Sequence, residues 1–259
     1  MKRFSNVGGG GILKLFNQIY RSCKNKAICY NSDVNCYNYK EALEMKKGFT
    51  LAEVLVTLGI IGVVSAMTVP TLMQNYQRKS YVTQLHKVYN EISQASQQYI
   101  TDRNAINLTE AGLNSQDTTN NFIEKYFKIV QKCENSFTPC FAPANEFRVL
   151  TGATGTVGHT VQNSYVLASG AAIRLDYYAH AISVLVDING AKSPNIIGRD
   201  IFYMELYPNV CIDDFNNDTG AKCPLSKDDR ETQFSKCQNG TSAWGCFGKI
   251  LNDNWEMSY

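Results

Sequence analysis

The stretch Lys46-Lys47-Gly48-Phe49-Thr50-Leu51-Ala52-Glu53-Val54-Leu55 decides how the chain is organised. A basic pair leads straight into an apolar run that carries one acid, Glu53, and no further charge until Arg78. Val54–Met73 is almost wholly apolar. At about 1.5 Å rise per residue such a helix covers about 30 Å, the hydrocarbon thickness of a bilayer. The run is too long for a signal-peptide core and ends without a small-x-small cleavage site, so a membrane helix is expected. Residues 1–48 hold nine Lys/Arg against three Asp/Glu, whereas residues 49–259 hold sixteen against twenty. This asymmetry predicts a cytoplasmic N-terminus and an external body. A mildly acidic body gives no electrostatic footing for nucleic acid.

Glu53 does not suit an ordinary anchor. A carboxylate within an apolar helix is costly and reads as functional, although the positive N-terminal end of a helix dipole would also favour it. Residues 46–55 closely resemble the signal of type IV prepilins and type II secretion pseudopilins, and the resemblance covers roughly residues 46–75. It implies that a membrane peptidase cuts between Gly48 and Phe49 and methylates Phe49. It also implies that Glu53 is the glutamate used in assembly, that Pro70 kinks or locally melts the helix, and that Lys46 and Lys47 are the basic residues of the leader. The cut creates a cationic amine. That amine can neutralise the Glu53 of a neighbouring subunit, because a carboxylate among apolar helices must find a partner or a proton.

The fold implied is α+β, of pilin type. A long N-terminal helix, membrane-spanning in its first half, packs on a small antiparallel β-sheet head with a disulfide-tied C-terminal loop. The expected parts are a leader (1–48), a transmembrane and filament-core helix (49–75), its amphipathic continuation (76–103) and a periplasmic or extracellular head (104–259). The implied partners are the prepilin peptidase/methyltransferase, like or related pilin subunits, an inner-membrane assembly platform and inner-membrane lipid. Nucleic acid is expected only in DNA uptake. The role implied is that of a structural subunit, not an enzyme. A single-pass anchored binding domain that forms no filament is the alternative. Residues 1–44 have no place in this scheme. Because Lys40-Glu41-Ala42 can be encoded by a ribosome-binding sequence, Met45 is the expected start.

Beyond the apolar run, Tyr81, Leu85, Val88, Ile92, Ala95 and Tyr99 recur at spacings of three and four, which predicts an amphipathic helix to about Arg103. A second helix is predicted over Asn120–Lys132, with Phe122, Tyr126, Phe127 and Val130 on its apolar face. Strands are predicted at 147–150, 164–167, 172–175, 182–187 and 201–206 from their Val, Ile, Tyr and Phe content. The segment from Asp187-Ile188-Asn189-Gly190 through Pro194-Asn195 to Gly198-Arg199-Asp200-Ile201-Phe202 is similar to one that joins two antiparallel strands in pseudopilin-like heads. The tail from Cys211 is expected to be extended, with Trp244 and Trp255 anchoring it to the sheet.

Six cysteines follow residue 48, namely Cys133, Cys140, Cys211, Cys223, Cys237 and Cys246, and none forms a CxxC pair. They predict up to three disulfides in an oxidising compartment, with the pairing open. No cofactor is expected, with calcium as the one candidate. Asp214, Asn216 and Asp218 lie in an oxygen-rich run, but the spacing carries an extra residue before Gly220, and Leu225 stands where a calcium loop has Glu. Asp187, Asn189 and Asp200 form a weaker cluster of the kind that shapes turns. The three histidines belong to no catalytic motif.

Overall fold

The computed structural model describes residues 48–158, 162–215 and 222–259, together with the backbone of two short strands, β1 (Ala27–Cys29) and β2 (Cys36–Asn38), paired antiparallel. Lys46, Lys47, Met45, Asn216 and Asp218 lie outside the described residues. The chain divides into two compact units, Met1–Ala66 and Met67–Tyr259. Helix α1 (Leu51–Asp102) begins in the first and continues through Pro70 into the second.

The second unit is built on a six-stranded antiparallel sheet whose spatial order is its chain order: β3 (Ile129–Cys133), β4 (Ser164–Leu167), β5 (Ala172–Tyr177), β6 (Ile182–Asp187), β7 (Ile201–Leu206) and β8 (Ile212–Asp213). Side chains alternate across such strands. Ile173, Leu175, Val184, Val186, Phe202, Met204 and Leu206 therefore share one face, and they form one core with the buried stripe of α1: Val82, Leu85, Val88, Ile92, Ala95, Tyr99 and Ile100. Leu185, Ile201 and Tyr203 share the opposite face, packed with Phe141, Phe147, Val149 and Trp244. That second face also carries buried polar groups: Arg174 paired with Asp176 at 3.0 Å, Ser183, Asp187 and Glu205.

Tight connections set the register. Between β4 and β5, Gly170 adopts a positive φ, and Leu167 N–H donates to Ala171 O at 2.8 Å. Between β5 and β6, Tyr178 N–H donates to Ala181 O at 3.0 Å. Strands β6 and β7 pair along their full length, Ile182↔Leu206 to Asp187↔Ile201, and the intervening 188–200 segment closes on itself through Ile188 N–H to Asp200 O at 3.0 Å. The long apolar helix, the antiparallel sheet and the three C-terminal-half disulfides (Cys133–Cys140, Cys211–Cys223 and Cys237–Cys246) make this the expected α+β pilin-type fold.

Four expectations are corrected. The second helix, α2, spans Gln116–Tyr126, because Ser115 and Thr118 cap it reciprocally four residues before the expected start. It gives way to β3, so Lys132 lies in a strand and Val130 is 66% exposed instead of packed. Residues 147–150 form no strand and make isolated bridges through Arg148 alone. The tail is disulfide-tied but helical, with α3 (Lys227–Gln238) and α4 (Cys246–Asn252). Trp244 reaches the sheet through Tyr203, but Trp255 stacks on His86 of α1 at 4.0 Å and meets Tyr89 edge-on.

Candidate functional site

The start of α1 is organised by two side chains. Thr50 is the helix cap: its hydroxyl accepts from Glu53 N–H at 3.2 Å, and its own N–H and hydroxyl both donate to Glu53 Oε2 at 2.8 Å. Reciprocal bonding of this kind satisfies two of the amides that every helix start leaves without partners. The Thr-x-x-Glu spacing signals it in the sequence, and the expectation above for Glu53 overlooked it. Both bonds fall on Oε2. No hydrogen bond within the described residues uses Oε1.

Every residue from Leu51 to Gln77 is exposed, including Leu55, Leu58, Ile60, Ile61, Val63, Val64 and Leu72. Phe49, just ahead of the helix, is 86% exposed. Apolar surface left in water costs about 25 cal/mol per Å² relative to burial. A helix apolar on all sides thus requires lipid or other helices around it. Among the described residues α1 is the one helix long and apolar enough to cross a membrane. Pro70 has no N–H to continue the ladder, and the Thr71 hydroxyl next to it donates to Thr68 O at 2.9 Å and Met67 O at 3.3 Å.

Residues 45–69 match the model of the prokaryotic N-terminal methylation motif. The chain carries a prepilin-type signal. The prepilin-type signal marks a precursor of the pilin or pseudopilin kind and implies processing by a prepilin peptidase and assembly with pilin subunits. Together with the apolar helix it fits a single-pass protein of the inner membrane. No curated protein and no solved structure matches the chain.

Of the residues offered above for calcium only Asp214 is among the described residues, and its carboxylate is engaged elsewhere. Asp214 is fully buried, and its carboxylate accepts from Phe215 N–H at 2.7 Å, Gly245 N–H at 2.9 and 3.0 Å and Gly248 N–H at 2.6 Å. It thereby docks the start of α4. Gly245 is required there: its φ is +108°, and a Cβ would run into the Gln233 carbonyl. Burial pushes the Asp214 carboxyl up to about 6, against the pull of those amides. Neighbouring Asp213 holds Arg230 of α3 by two bonds of 2.9 and 2.6 Å and also accepts from Leu225 N–H at 2.9 Å. Among the described residues no three His, Cys, Asp or Glu side chains gather as a metal group.

Glu205 of β7 stands between Ser183 of β6 and Asp213 of β8, 2% exposed, with Oε2 unbonded. Burial and then the Asp214 charge push its carboxyl up to about 8. A group whose folded pKa is raised contributes stability at low pH that is lost as pH rises from the unfolded value toward the folded one. Glu205→Gln should therefore gain on the wild type between about pH 5 and about pH 8, by up to about 4 kcal/mol. Paired denaturant melts at the two pH values measure it.

Proposed function

We propose that the chain is a filament subunit. It is cut between Gly48 and Phe49, methylated on Phe49 and assembled through α1 into a type II secretion pseudopilus or a type IV pilus. The observation that carries this is the apolar helix joined directly to a prepilin-type signal, exposed at every residue from Leu51 to Gln77 among the described residues. Lipid covers it before assembly and neighbouring helices afterwards. Glu53, with Oε1 unused, takes the Phe49 amine of a neighbour, so the pair sets the register of subunits entering the filament. Pro70 lets the helix bend or melt locally as it leaves the bilayer. Three disulfides support an external head, since such bonds persist in oxidising compartments. The 188–200 connection, similar to one in pseudopilin-like heads, favours the pseudopilus.

Gly48→Glu tests the processing step. The variant is expected to remain at precursor mass in the membrane and to disappear from sheared filaments, in which the wild type is recovered. A Gly48→Glu protein that is cut as usual would contradict the assigned site. A wild-type chain that is never recovered with filaments would favour an anchored binding domain.

A further inference from the structure

A groove of about 640 Å³ opens beside α1, with Asn75, Arg78, Lys79 and His86 on the helix side and Trp255 and Glu256, just past α4, on the other. The four helix residues share one face, because neighbours on a helix surface lie three and four positions apart. His86 fastens the two walls together, its ring stacked on Trp255 at 4.0 Å. Trp255 also meets Tyr89 edge-on at 5.1 Å, and it holds a φ of +62°, a region that bulky residues rarely adopt.

The groove gathers cationic and donor groups that the chain does not use. Among the described residues Arg78 and Lys79 enter no ion pair, and the side chains of Asn75, Arg78, Lys79 and Trp255 make no hydrogen bond. The one acid in the lining, Glu256, is exposed and pairs with neither cation. The groove is thus cationic, with a guanidinium whose planar fork matches a phosphate.

Its place along the helix says which phosphate. The apolar run ends at Met73, and Arg78 follows five residues later. At about 1.5 Å per residue that is about 8 Å beyond the hydrocarbon edge, and the headgroup layer is itself about 5–8 Å deep on each side. Lys79 lies one residue further on, and long basic side chains reach back toward the interface. Tyr76, 73% exposed, sits at the level where aromatic rings settle in membranes.

We propose that Arg78 and Lys79, walled by Trp255, bind the phosphate of an anionic phospholipid headgroup. The bound lipid holds the head against the bilayer face until the subunit leaves for a filament. This rests on α1 spanning the bilayer. A chain that stays soluble without detergent would refute that reading, whereas one that needs detergent and shows no lipid preference would refute the headgroup site alone.

The test is native mass spectrometry of the full chain in neutral detergent micelles, titrated with phosphatidylglycerol or with phosphatidylcholine. One Lys or Arg near an anionic lipid surface adds about fivefold in affinity, so two should give roughly a 25-fold preference for phosphatidylglycerol. The double variant Arg78→Gln/Lys79→Gln should lose the preference and still bind phosphatidylcholine as the wild type does. Glu256→Gln removes the opposing charge and should tighten phosphatidylglycerol about fivefold. Lys87→Gln/Lys128→Gln, an equal loss of charge in another groove, should keep the preference. Inorganic phosphate should compete only weakly. The proposal is overturned if the wild type binds both lipids equally, if the Arg78/Lys79 variant keeps the preference or loses both lipids alike, or if the Lys87/Lys128 variant loses it as well. It is equally overturned if Glu256→Gln weakens binding, or if inorganic phosphate displaces the lipid on equal terms.

Discussion

Glu53→Leu is expected to be cut between Gly48 and Phe49 like the wild type and yet to be missing from filaments. Removing one partner of a buried charge pair costs about 3–5 kcal/mol, because the other charge is left without compensation. Since about 1.4 kcal/mol is a tenfold change in affinity, subunit docking should weaken by at least about a hundredfold. The substitution also removes the bonds that Glu53 Oε2 accepts from the Thr50 N–H and hydroxyl, one half of the reciprocal cap and worth only about 1 kcal/mol. Glu53→Gln separates the two effects. It keeps an oxygen for the Thr50 N–H and hydroxyl but lacks the charge, so it too should be processed and excluded from filaments. Quantifying cut chains in membrane and sheared fractions reads both variants. If Glu53→Gln assembles as well as the wild type, Glu53 is a helix cap and nothing more.

The second large effect belongs to the head. Asp214→Ala strands the N–H groups of Phe215, Gly245 and Gly248 in a buried place. At about 1–3 kcal/mol for each stranded donor, the loss should be about 3–9 kcal/mol, or roughly 10 °C or more in the unfolding midpoint. The disulfide Cys237–Cys246 holds α4 next to α3. The damage should therefore show as detachment of the tail, with the sheet still formed. Hydrogen exchange, residue by residue, separates the two: early exchange in 246–252 with β5–β7 still protected is the expected pattern. Uniform loss of protection would mean that the tail and the sheet unfold as one.

What the sequence could reveal follows from how local each determinant is. Strands β6 and β7 were legible to the residue, because Ile182–Asp187 and Ile201–Leu206 are dense in β-branched and aromatic side chains bounded by turn residues. The buried stripe of α1 was legible because its spacing is regular. Val130 misled the reading of α2. It sits three residues after Phe127 and so extends a helical spacing, while the actual stop is set by pairing of Ile129–Cys133 with β4, more than thirty residues away. Helix α3 was illegible for a different reason. It buries only Phe234 and Cys237, and it is held by the Ser226 cap, a disulfide and the Arg230–Asp213 pair, none of which leaves an apolar periodicity.

The candidate site divides the same way. The prepilin-type signal is a contiguous motif, and it can be read directly. Asp214 looked like a cation ligand because its sequence neighbours are oxygen-rich, but its true partners are amides 31 and 34 residues further on. The Asp187–Asp200 cluster was visible only as turn chemistry, because the burial of both acids depends on the folded head.

The claim that matters most is that this chain is processed and modified at one peptide bond. Mass spectrometry of the N-terminal peptide, from protein isolated with its native membranes, tests it most directly. The account predicts a chain beginning at Phe49 with one methyl group on its amine. A chain that still carries residues ahead of Phe49, with that amine unmodified and no filament-associated fraction, would contradict it.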